Sequence, residues 1–176
     1  GRETLPPFSF GGACIVAGSA WCLHEDLMQA RKIIGDVPVI AVNGASREVK
    51  ALMLVSQHPE NFINARWIHH QKRLFGDGFT THSTEQTVGV DYVWNLPHRG
   101  GSAWLARRIA GLVGFKPVIL AGCPMLPGNY ASYRPGLLMS KASVVNELLD
   151  QIAKDTDWHK GCYSMSGATR EILGCL

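Results

Sequence analysis

The chain has no run of five like charges, no apolar stretch approaching the length of a membrane span and no CxxC pair. It has no basic segment followed by a long apolar one near residue 1, so no signal peptide is expected. HExxH is missing, which leaves the histidines without a metal-ligand spacing, and no metal site is expected. GxGxxG and GxxxxGK[ST] are missing too, which excludes a dinucleotide fingerprint and a P-loop. The five cysteines, Cys14, Cys22, Cys123, Cys162 and Cys175, are odd in number and irregular in spacing. That pattern argues against a zinc ribbon and a secreted disulfide scaffold, and it suits a reducing, cytoplasmic setting. Net charge is only +3 over 176 residues, too little to argue for nucleic acid on charge alone.

What is present is a series of short apolar runs alternating with helical patterns. Cys14–Ala17 and Val37–Val42 read as buried strands, as do Ala51–Val55 and Val118–Ala121. Short strands are also expected at Phe79–Thr81, Asp91–Trp94 and Gly161–Met165. Helices are expected over His24–Ile34, Glu60–Arg73, Ser102–Val113 and Lys141–Ala153, with a closing helix opened by Ser166–Arg170. Alternating strands and helices make βαβ units. The reading is α/β: one three-layer, Rossmann-like domain over residues 13–176 with a mostly parallel sheet, after an N-terminal extension at 1–12.

Four strand ends carry small or polar residues: Gly18-Ser19, Asn43-Gly44, Ser56-Gln57-His58 and Gly122-Cys123. In a parallel sheet these ends share one rim, where ligands of open α/β sheets bind. Gly100-Gly101-Ser102 opens a helix, so free backbone N–H groups there can face an anion, with Ser102 as a plain N-cap the other reading. The expected ligand-binding set is therefore Gly18, Ser19, Asn43, Ser56, Gly101, Ser102 and Gly122. His58, directly after a strand, and His98, beside Arg99 and the glycine loop, are the candidate bases, with Arg99 or Arg134 to stabilise leaving-group charge. Cys123 is weighed as a thiolate, and Trp21 either stacks on a ring or packs in the core. Pro124–Ser140, with Tyr130, Tyr133 and Arg134, is a long loop of the kind that often binds or covers a site. Ser164–Gly167 repeats the serine-to-helix theme.

The order of an apolar strand into Gly18-Ser19, then Val39–Ala45, Ser56–Glu60, Gly101-Ser102, Phe115–Met125 and Tyr163–Gly167 resembles a known superfamily. It is the Rossmann-like group holding 6-hydroxymethylpterin diphosphokinase-like proteins and bacterial sialyltransferases, which small phage and prophage proteins also resemble. The resemblance spans about Ala13 to Leu173. It implies a transferase using a nucleotide-activated donor, a nucleotide-sugar or ATP, held at Gly18, Ser19, Asn43, Gly101 and Ser102. The family's first loop reads Gly-Asn/Ser-Gly-Pro-Ser, whereas this chain has Gly18-Ser19-Ala20-Trp21-Cys22. The alternative is therefore a non-catalytic nucleotide- or small-ligand-binding protein on the same scaffold. The expected partner is a nucleotide or nucleotide-sugar, and no other cofactor is specified. Self-association stays open. So does nucleic acid, motivated by Lys72-Arg73 and Arg107-Arg108.

Overall fold

Continuous apolar runs with β-branched residues produce strands buried on both faces, as a covered parallel sheet requires. In the computed structural model, which describes residues 9–128, 131 and 141–176, these are β1 (Cys14–Ala17), β2 (Val39–Val42), β3 (Met53–Val55) and β6 (Val118–Ala121). All their residues are buried. The sheet is completed by β4 (Thr80–Ser83), β5 (Tyr92–Val93) and β7 (Cys162–Ser164). The seven strands run in the order β5-β4-β3-β2-β1-β6-β7, and every neighbouring pair is parallel. The fold is thus α/β, a parallel sheet between helical layers, as the alternation of runs implies.

Side chains alternate between the two faces. Cys14, Val16, Ile40 and Leu120 meet Trp104, Leu105 and Ile109 of α4 (Gly101–Leu112) and Ile152 of α5 (Ala142–Lys154). On the other face, Ile15, Ala17 and Leu54 meet Leu23 and Leu27 of α1 (Leu23–Ile34), Phe62 of α2 (Asn61–Asn64) and Trp67 of α3 (Trp67–Phe75). The chain closes with α6 (Gly167–Leu173). α4 contacts β1, β2, β3 and β6, and nine of its twelve residues are buried.

Some expectations need correction. The helix expected over Glu60–Arg73 is two helices, because Arg66 takes a left-handed conformation (φ 60°, ψ 31°) and ends the first turn before α3 starts. Ser102 is not an N-cap. Gly100 holds that position at φ 74°, a conformation glycine adopts without steric cost, and a Cβ there would lie 2.7 Å from atoms of Trp104 and Ile152. Arg107-Arg108 offers nothing to nucleic acid, since the two residues are 5% and 1% exposed. Arg107 donates to the carbonyls of Trp158 and Lys160 (3.0 and 3.1 Å) and stacks on the Trp158 ring, so it ties α4 to the segment before β7.

Candidate functional site

The order in which strands are added reverses beside β1: β2 to β5 build out on one flank, and β6 and β7 on the other. Such a switch point leaves a crevice beyond the carboxyl ends of the two adjoining strands, β1 and β6. Here the loops after β1 and β6 touch. Gly18 donates its N–H to Ala121 (2.8 Å), and Ala20 donates to the Gly122 carbonyl (3.2 Å). A Cβ on Gly18 would collide with the Gly122 carbonyl oxygen and lie 2.6 Å from Cys123 Sγ. Only glycine permits this approach.

The crevice, about 360 Å³, opens above this contact. Gly18, Ser19, Asn43, Gly101, Ser102 and Gly122 all line it, six of the seven expected binding residues. The seventh, Ser56, stands behind. Its hydroxyl donates to the Asn43 side-chain oxygen (2.7 Å) and accepts the His58 N–H (2.9 Å). Ser102 Oγ accepts the Gln57 N–H (2.9 Å). These bonds join the ends of β2 and β3 to the start of α4 and fix Asn43, which is itself left-handed at φ 51°. The opposite wall is aliphatic, from Met125, Leu126, Val144 and Leu148. Lys141, at the start of α5, is the one charged side chain among the described lining residues.

The expected catalytic residues lie elsewhere. His58 is exposed and outside the lining. His98 is exposed, with Nε2 bonded to Thr84 Oγ1 (2.7 Å). Arg99 is exposed and leans towards Asp155 (3.7 Å). His58 follows β3, and His98 and Arg99 follow β5 just before the lining residues Gly101 and Ser102, but all three side chains stay at the surface instead of turning into the crevice. Cys123 does line it, but burial raises its thiol above the ordinary value, so it stays protonated. Trp21 neither enters the crevice nor joins the core. It is 43% exposed, and a Cβ on Gly128 would lie 2.6 Å from its ring. Tyr130, Tyr133 and Arg134 lie outside the described residues.

Asp26, which holds the loops behind the crevice, is the residue that motif reading missed. It is 5% exposed in the first turn of α1, and one carboxylate oxygen accepts the Gly122 N–H (2.9 Å) and the Ser166 hydroxyl (2.5 Å). The loops after β6 and β7 therefore hang on one carboxylate, and Ser166 is engaged there instead of facing an anion. The available signal was an acid following the glycine loop. Among the described residues, no three His, Cys, Asp or Glu side chains converge to hold a metal, and no helix is long and apolar enough to cross a membrane. No protein-family model, curated protein or solved structure matches the chain.

Proposed function

We propose that the crevice binds a nucleotide or nucleotide-sugar, with phosphate towards the start of α4 and the less polar part of the ligand against the aliphatic wall. The observation that carries this reading is the convergence of two glycine loops, Asn43 and the Gly101-Ser102 helix start at the switch point. Backbone N–H groups at a helix start favour negative charge. Lys141 adds a cation on the facing helix. The resemblance to nucleotide-dependent transferases points to the same ligand class.

Binding without transfer is the better-supported form of this proposal, because neither candidate base lines the crevice. Transfer from a nucleotide-activated donor is the second reading. It is favoured by Lys141, a cation lining the crevice that would neutralise a leaving phosphate. Calorimetric titration with nucleoside mono-, di- and triphosphates and nucleotide-sugars tests the binding claim. Leu148→Trp, which fills the crevice from its half-exposed wall, should abolish the heat of binding while the protein stays folded. Heat that persists in that variant contradicts the site. Nucleotide release from a bound nucleotide-sugar, lowered tenfold or more by Lys141→Gln, would select the transferase reading (~1.4 kcal/mol per factor of ten).

A further inference from the structure

We propose that Arg47, Arg66, His70 and Arg73 form a second anion site, one that takes two or more adjacent phosphates as presented by a free oligophosphate or a nucleic-acid strand. His70 and Arg73, three residues apart, share one face of α3, and Arg66 is the N-cap at its start. The stripe is roughly 10 Å long at 1.5 Å per residue, against about 3.4 Å of axis per phosphate in one strand. Arg47 comes from the 3-10 helix Asn43–Arg47, which Gln71 fastens to α3. The Gln71 side-chain amide donates to the carbonyls of Ser46 (2.8 Å) and Val49 (3.0 Å), and its oxygen accepts the Ala51 N–H (3.0 Å).

Among the described residues, neither Arg47, Arg66 nor Arg73 makes an ion pair. Arg47 Nε is buried with no hydrogen-bond partner. Partial desolvation, and then the charges of Arg47, His69, Arg73 and Arg66, hold the His70 ring below its ordinary basicity. On the elements packed against α3, α2 carries no charged residue, and Glu48 is the acid next to Arg47, bonded to His24 at 3.0 Å among its contacts. The first turn of α3 has no acid, and its N-cap is the cation Arg66, the reverse of what a helix dipole favours. Arg66 also holds a left-handed backbone, which is unfavourable for a non-glycine residue. Bound phosphates would offset this repulsion and satisfy Arg47. None of the four residues lines the crevice, so the site is separate from the one proposed above.

The test is binding of tripolyphosphate, by calorimetry, and of a labelled oligothymidine strand, by fluorescence anisotropy, to the full chain at about 50 mM salt, where phosphate contacts are strong. Arg66→Gly and Arg73→Gln should each weaken binding several-fold and lower the salt slope by about one for the strand. Arg66→Gly should keep or raise the melting temperature, since glycine accepts the left-handed backbone, so lost binding cannot be lost folding. The His70 ring, followed by NMR, should become more basic when the anion binds, and affinity should rise as pH falls. Preference for tripolyphosphate assigns a free oligophosphate, and preference for oligothymidine assigns a strand. Absence of binding by both, or binding undiminished in both variants, overturns the site. Arg73→Gln should leave nucleotide binding in the crevice unchanged, which separates failure of one proposal from failure of the other.

Discussion

His82 shows how little a residue's type says about its role. Between Thr81 and Ser83 in a polar stretch, it looks like a solvent-facing imidazole. In β4 it is fully buried, stacked on Tyr92, with Nδ1 accepting the Trp94 indole N–H (3.0 Å) and Nε2 bonded to Thr80 (2.7 Å). The signal for this was Trp94 twelve residues on, but only strand pairing brings the two together. Burial lowers the His82 pKa from 6.5 to about 3. The unfolded chain therefore binds a proton that the folded chain refuses between those values. Its stabilising effect is complete above pH 6.5 and drains away as pH falls towards about 3. The expected slope is up to about 1.4 kcal/mol per pH unit. Urea unfolding at stepped pH checks this: His82→Gln should be less stable at pH 7 and show a shallower acid limb. An acid limb as steep as that of the unsubstituted chain would exclude His82 as its source.

At the scale of elements, the four fully buried strands were legible because each is a continuous apolar run closed by a turn residue. The rim was legible for the same reason, since glycine, serine and asparagine at strand ends are needed wherever loops must approach closely. Two things were not. The break at Arg66 has no proline or glycine to announce it, and it is stabilised by packing of α3 on Asn43–Arg47 through Gln71. The expectations for His58, His98 and Arg99 rested on position after a strand, which does not say whether a side chain turns into the crevice or to solvent, and all three are exposed outside its lining. Asp26 joins three elements, α1, β6 and β7, and makes a direct test of how the crevice floor is held. Asp26→Ala leaves the Gly122 N–H buried without an acceptor, so a loss of about 1–3 kcal/mol is expected in denaturant unfolding. Nucleotide binding should weaken as well, since Gly122 lines the crevice. A variant as stable as the unsubstituted chain, with unchanged binding, would show that the loops hold their positions without that carboxylate.

One relation organises the whole molecule. The two glycine loops diverge from the centre of a parallel sheet, and α4, buried along most of its length, delivers its first turn to the same point. A rigid, largely pre-formed site is the physical consequence, because the residues at its base are fixed by close backbone contact and by the Ser56, Ser102 and Asp26 hydrogen bonds. Ligand binding should therefore perturb a small, defined set of amides and leave the edge strand β5 unaffected. The most direct measurement is amide chemical-shift mapping by NMR as nucleotides and nucleotide-sugars are added. Saturable shifts of the Gly18, Ser19, Asn43, Gly101, Ser102 and Gly122 amides are expected for at least one member of that panel. Saturable shifts confined to other surfaces, or none at millimolar ligand, would contradict the claim that this crevice is the binding site.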